Sequence, residues 1–238
     1  MTRCAPRPVL LPVSETATVR RRAARGRGAE LREEVLRAAM DLLTETGDVN
    51  AVSVRAVAQR VGVSAPSIYL HFADKQALID AVCGEVFEVL HQRLRAAAEK
   101  APDPFSALRA QGVAYVQFAR ENPEHYRVVM MLAHEPAQES VDRVVAGGAF
   151  GFLVETVQQC IDAGVLEGEP VEMALGLWAA AHGIAALLVA KPYFPWPDLD
   201  DFVDRTICMA GLGLAASTRI DLDQPLPELT TRLESLRS

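Results

Sequence analysis

The chain has 238 residues, half of them hydrophobic and 23% charged, with a net charge of −7 and a mean hydropathy of +0.11. This is too apolar for an intrinsically disordered chain, while 15 glycines without a triplet period and four scattered cysteines exclude collagen-like and disulfide-stapled chains. The acidity taken as an average weighs against a nucleic-acid partner, yet residues 1–80 carry 12 Lys/Arg against 9 Asp/Glu and residues 81–238 carry 12 against 22.

Residues 1–28 are rich in Pro and Arg, show no apolar period and end in the basic run Arg20 to Arg27, which predicts a mobile arm. Pro6, Pro8 and Pro12 interrupt the stretch Val9 to Val13 before it reaches the length of a secretory core, and no apolar run of 18 residues follows. A cytoplasmic protein with no membrane partner is expected. A first helix follows from Leu31, Val35, Ala38, Ala39, Leu42 and Leu43 at helical spacing; Glu30, Glu33 and Glu34 sit at the positive end of its dipole and Gly47 stops it. Ser53 caps a short second helix with an apolar face of Val54, Val57, Ala58 and Val61, ended by Gly62. Ser64 caps a third, with Pro66 in the first turn, where its missing N–H costs nothing. Asp74 caps a long fourth helix bearing Leu78, Ile79, Val82, Val86, Val89, Leu90 and Leu94.

Beyond Ala101-Pro102-Asp103-Pro104 the pattern predicts helices over 105–120, 123–134, 140–163, 170–190 and 199–216, separated by Pro and Gly joints. A tail with Pro225 and Pro227 closes the chain. No stretch alternates apolar and polar residues between turns, so the fold class is all-α. Cys4, Cys83, Cys160 and Cys208 form no C-x-x-C pair and read as isolated thiols, and no metal or cofactor is expected.

The segment Ser53 to Lys75 joins two short helices through a few residues around Gly62. Val61, Val63 and Ile68 form the wedge between them, leaving Ala65, Pro66, Ser67 and Tyr69 on a face sized for a DNA major groove. Here the block AVAQRVGVSAPSIYLHF, followed by Asp74-Lys75 and Leu78, resembles the signature of the TetR family of transcriptional regulators, over about residues 29–80. The resemblance implies that Arg55, Ala65, Pro66 and Ser67 face bases, while Tyr69, His71 and Lys75 meet phosphates. The capping serines Ser53 and Ser64 belong to the same set. The chemistry agrees: Arg55 has the fork for guanine, Ala65 and Pro66 suit thymine methyls, and Tyr69, His71 and Lys75 carry donors for phosphate oxygens.

Further on, Leu177-Trp178-Ala-Ala-Ala-His182-Gly183 resembles the Trp/His/Gly motif of the WHG type of C-terminal domain in that family. Trp178 and His182 share a helical face, and Gly183 allows close helix approach. Two readings stand at this point: a core helix whose His182 is satisfied by a backbone or hydroxyl neighbour, or the wall of a ligand cavity. Candidate cavity residues are Tyr115, Phe118, Met130, Met131, Phe150, Val154, Trp178 and His182, a lining suited to a small apolar or amphipathic effector. The alanine-rich faces Ala174 to Ala190 and Ala210 to Ala216 predict a four-helix dimer contact. The implied organisation is an arm (1–28), a helix-turn-helix DNA-binding domain (29–75), a helical ligand-binding and dimerisation domain (76–220) and a tail (221–238).

Enzyme motifs fail on context. Gly211-x-Gly213-x-x-Ala216 has no strand before it, Gly147, Gly148 and Gly151 lack a following Gly-Lys-Ser/Thr, and His134-Glu135 runs into Pro136. The expectation is therefore a non-enzymatic homodimeric regulator, most simply a repressor, that binds double-stranded operator DNA and a small effector. The alternative is a ligand- or protein-binding module that no longer reads DNA, a reading that Leu70, an apolar residue within the motif, encourages.

Overall fold

The computed structural model describes residues 28–131, 148–217 and 227–228. The basic arm, Cys4, His134-Glu135, the start of the helix expected over 140–163 and nearly all of the tail lie outside the described residues. Among the described residues every regular element is helical.

α1 (Gly28–Thr46) buries Val35, Ala39 and Leu43, one turn apart, and stops where Gly47 takes a φ of 61°. α2 (Val54–Val61) starts on Ser53, whose Oγ accepts the Ala56 N–H at 3.1 Å. It ends at Gly62, whose φ of 78° lies in the left-handed region that costs other residues about 1–2 kcal/mol. α3 (Ala65–Tyr69) is a single turn and change, and Ser64 does not cap it as expected: its Oγ pairs with Ser67 Oγ at 2.8 Å instead of with a backbone N–H. Burial of Ile68 and Phe72 holds this short helix in place, each worth about 1.5–3 kcal/mol. α4 (Lys75–Ala98) is capped by Asp74, which accepts the Ala77 N–H at 2.8 Å. Its buried stripe runs Leu78, Val82, Val86, Leu90, Leu94. Val89 falls off that stripe and is exposed.

α5 (Pro104–Glu121), capped by Asp103, is the centre of the body. It packs against α4, α7 (Gly148–Asp162), α8 (Pro170–Ala190) and α9 (Leu199–Ser217). Gly112 makes the α5–α9 crossing close, since a Cβ there would sit 2.7 Å from Ile207 Cγ2. The helix expected over 123–134 is interrupted: α6 (Pro123–Tyr126) passes into a π turn over Arg127–Met131. Arg127 holds that turn to the end of α8 by donating to the Val189 carbonyl at 3.1 Å.

α8 is long and apolar enough to cross a membrane by length and composition. In this fold it buries one face (Met173, Ala174, Ala181, Ile184, Ala185, Leu188) and leaves Val171, Leu175 and Leu187 exposed on the other. Gly183 does not mediate a close approach within the chain, because a Cβ there would meet nothing within 4 Å. One apolar core runs unbroken from Val35 of α1 through Leu78 and Leu90 of α4 and Val116 of α5 to Ile207 of α9. A smaller cluster around Leu108, Val157 and Met173 closes the far end of α5.

Candidate DNA interface and ligand cavity

At the interface end, the caps and the wedge decide which side chains remain outside. Ile68 is fully buried and Phe72 nearly so, while Tyr69 is 53% and Leu70 84% exposed. Pro66 is exposed and Ala65 and Ser67 half-exposed beside them. Arg55, exposed on the first turn of α2, and Lys75, half-exposed at the first position of α4, make no ion pair among the described residues. Arg60, one face away, is committed to Glu45 of α1 at 2.7 Å, and that partner raises its pKa. Arg55 and Lys75 are thus left unpaired among the described residues, while Arg60 holds α2 to α1. His71 lies against the start of α1, where a Cβ on Gly28 would be 3.7 Å from His71 Cε1. The first described residue, Gly28, thus lies beside a residue of the candidate phosphate set. Arg32 stacks over Phe72 at 5.5 Å, fixing α1 across the base of the motif.

In the body, a cavity of about 820 Å³ is walled by α4, α5, the π turn, α7, α8 and α9. Tyr115, Met130, Phe150, Trp178 and His182 border it, as expected from the sequence. Phe118 does not: three residues beyond Tyr115, it is turned to α4, where the Arg93 guanidinium lies 5.5 Å from its ring centre. Nor does Val154, one residue and about 100° of helix past the bordering Leu153; it packs into the smaller core cluster. The side chain of Met131 lies outside the described residues.

His182 belongs to a four-residue polar network on the wall. Its Nδ1 is 2.8 Å from Tyr126 Oη and 3.2 Å from Tyr115 Oη, and Trp178 Nε1 donates to Tyr115 Oη at 3.3 Å. Burial lowers the His182 pKa and raises those of both phenols, so at neutral pH the network is uncharged. The two readings of His182 therefore coincide: a satisfied histidine that also borders the cavity. Burial also pushes the Cys83 and Cys160 thiols up to about 11, as for inert core cysteines.

Sequence reasoning missed Gln111, Phe87 and Cys208, all of which border the cavity. Gln111 had a signal: it occupies a polar place in the buried stripe Leu108, Gln111, Tyr115, Phe118 of α5. Phe87 and Cys208 had none, because the positions where α4 and α9 face a void look like ordinary packing positions.

Two connections join the cavity to the head. α4 carries Lys75 at its start and then Cys83, Phe87 and Leu90 along the cavity wall. The second runs through α6: Tyr126 is bonded to His182, and its neighbour His125 pairs through Nε2 with Thr44 Oγ1 of α1 at 2.9 Å.

Two family models match the chain: "Bacterial regulatory proteins, tetR family" over residues 35–82 and "Tetracyclin repressor-like, C-terminal domain" over residues 108–210. The class D tetracycline repressor protein of Escherichia coli is 30% identical over 107 residues, 45% of this chain. That alignment spans 43% of the repressor, less than half its length. The uncharacterized HTH-type transcriptional regulator YobS of Bacillus subtilis is 27% identical over 161 residues, 67% of this chain and 79% of its own length. Among solved structures, a protein of unknown function from Rhodococcus sp. RHA1 matches with a TM-score of 0.65 at 29% identity, covering 79% of this chain and 95% of that one.

Proposed function

The chain belongs to the TetR family of bacterial regulatory proteins, and on that premise we propose that it is a homodimeric repressor that binds a palindromic operator and is released by a small apolar or amphipathic effector. The observation that carries the reading is a single helix, α4, which begins at Lys75, a candidate phosphate contact, and goes on to wall a large, mostly apolar cavity. An occupant that shifts α4 shifts the head attached to it. A differential affinity of about 1–3 kcal/mol between the two conformations changes operator affinity roughly 5–150-fold.

In this reading Arg55, Ala65, Pro66 and Ser67 read base edges, and Tyr69, His71 and Lys75, with the capping serines Ser53 and Ser64, set the register on phosphates. Leu70, 84% exposed just past the end of α3, remains the feature of the head that fits the alternative of a protein-binding module. The exposed apolar strip of α8, with Leu175 and Leu187, and Met209 and Leu212 of α9, supports a two-fold contact between copies. Single cavities of this size and lining hold molecules of drug size.

The test is binding to the DNA upstream of the protein's own gene at a stated salt concentration with excess random duplex. Specific binding is expected. Lys75→Ala should weaken binding to all sequences and reduce the salt slope by about one, whereas Arg55→Ala should relax preference at one base position. Equal affinity for that DNA and for random duplex, unchanged by Tyr69→Phe, Lys75→Ala and Arg55→Ala, would overturn the proposal.

A further inference from the structure

The charged edge of the cavity lies on α4. Asp80, Gly84 and Glu88, spaced four residues apart along one line of the helix, border the cavity and are all exposed. Gly84 carries no side chain, and a Cβ there would meet nothing within 4 Å, so the line consists of two carboxylates with a gap between them. Asp80 and Glu88 are about 12 Å apart along the helix axis, which puts a group seated over Gly84 roughly one turn from each. Cys83 and Leu90, on the same stretch of α4, also border the cavity but are buried, and Phe87 is half-buried. The helix thus passes from an apolar wall to an acidic, water-accessible rim.

The charge on this rim is uncompensated. Asp80 accepts from Gln76 Nε2 at 2.8 Å and Glu88 from Gln92 Nε2 at 2.9 Å, both neutral amides, and neither carboxylate has a cationic partner among the described residues. Each keeps lone pairs free, since an ionised carboxylate accepts about four bonds. The charge is felt at the wall: after burial, Asp80 is the cause that raises the Cys83 thiol to about 11. Arg109, the one permanent cation among the described lining residues, is paired with Asp204, its Nε donating at 2.8 Å. An anionic head group therefore meets two carboxylates and no free cation. A cationic one keeps part of its water at the exposed rim, gains both carboxylates, and enters a cavity bordered by the rings of Phe87, Phe105, Tyr115, Phe150 and Trp178, whose faces attract cations. The field of the body draws it in, because residues 81–238 carry 12 Lys/Arg against 22 Asp/Glu.

Taking the cavity as the effector site proposed above, we infer that it receives an amphipathic organic cation, its apolar body inside the cavity and its charged end over Gly84 between Asp80 and Glu88. The two carboxylates then set the charge specificity of the site. Both stand on the helix that begins at Lys75, so the charged end of the occupant bears on the element that carries the head.

The experiment is calorimetric titration of the full-length chain with octyltrimethylammonium, octan-1-ol, octanoate and tetramethylammonium, the last being the cation without its tail. Octyltrimethylammonium should bind once per protomer and about tenfold more tightly than the alcohol, with octanoate and tetramethylammonium weaker than either. The double variant Asp80→Asn with Glu88→Gln, which keeps the shape of both side chains, should abolish the cation's advantage and leave the alcohol's affinity within about twofold. The order of the probes in the unaltered protein decides the charge class even if that variant does not fold. Equal affinity for octyltrimethylammonium and octanol, or tightest binding of octanol or octanoate, overturns the inference and leaves the cavity as a binding site. Tetramethylammonium binding as tightly as its octyl relative overturns it as well, since surface counter-ion attraction then accounts for the preference. A cation preference that survives the double variant overturns the assignment to Asp80 and Glu88. Binding of none of the probes overturns both the inference and the cavity's role as effector site, with operator binding tested separately through Arg55 and Lys75.

Discussion

Tyr126→Phe removes one oxygen from a fully enclosed position, and the structure indicates how much that should cost. The Tyr126 hydroxyl lies 2.8 Å from His182 Nδ1 and 3.3 Å from the His182 carbonyl. The carbonyl sits inside α8, where the helix ladder already serves it. Nδ1 keeps a second neighbour, Tyr115 Oη at 3.2 Å, in either tautomer of the ring. No buried group is therefore stranded, and the loss is that of one ordinary hydrogen bond, about 1 kcal/mol rather than the 3 or so of an orphaned polar atom. For a chain of this size that is a fall in Tm of roughly 2–4 °C. Tyr115→Phe alone should cost less than 1 kcal/mol, because its bonds are longer and half-exposed Trp178 Nε1 can turn to water. Together the two substitutions leave Nδ1 bare, so the double variant should lose about 0.5–1 kcal/mol more than the sum. Urea unfolding at fixed protomer concentration, followed by tryptophan fluorescence, measures all three. Additivity within 0.3 kcal/mol would refute the claim that both phenols serve one nitrogen.

The other expectations concern packing, assembly and pH. Gly112→Ala places a methyl 2.7 Å from Ile207 Cγ2; overpacking of about 1–3 kcal/mol outweighs roughly 1 kcal/mol of helix propensity, and a variant more stable than the parent in denaturant would contradict it. Leu187→Glu, a charge on the exposed apolar strip of α8, should shift sedimentation toward the monomer without changing helix content; unchanged sedimentation would place the dimer contact elsewhere. Burial lowers the pKa of His182 and of His125 from about 6.5, so the unfolded chain binds protons that the folded chain refuses. Stability should be complete above that value and fall as the pH drops through it. His182→Gln should flatten the decline, and an unchanged pH profile would remove His182 as its source.

The DNA-reading end was largely legible in the sequence because its elements are written by local chemistry. Ser53, Gly62 and Asp74 cap and stop helices through groups within a few residues of themselves, and each does so as the spacing predicts. Ser64 departs from its expected role because Ser67, three residues on, offers a hydroxyl in competition with the backbone. The body was legible in outline only. Tyr115, Met130, Phe150, Trp178 and His182 converge on the cavity, whereas Phe118 and Val154 differ from them only in rotation about their helices. A fraction of a turn decides between void and core, and neighbours far away in the chain set that fraction. The end of α6 shows the same limit: the π turn is tied to Val189, 62 positions along the chain from Arg127.

The core shared by α1, α4, α5 and α9 has a consequence for how such a protein switches. A reading head with an apolar centre of its own could melt locally while the body stayed intact, and release DNA by becoming disordered. Here Val35 and Leu78 belong to the same cluster as Val116 and Ile207, and a core shared in this way is expected to make head and body unfold together. If the cavity is the effector site proposed above, its occupant should stabilise the head against unfolding even as it drives it off the operator. In the proposed switch, induction would be the displacement of a folded head, and its expected signature is a single melting transition that moves upward as DNA affinity falls.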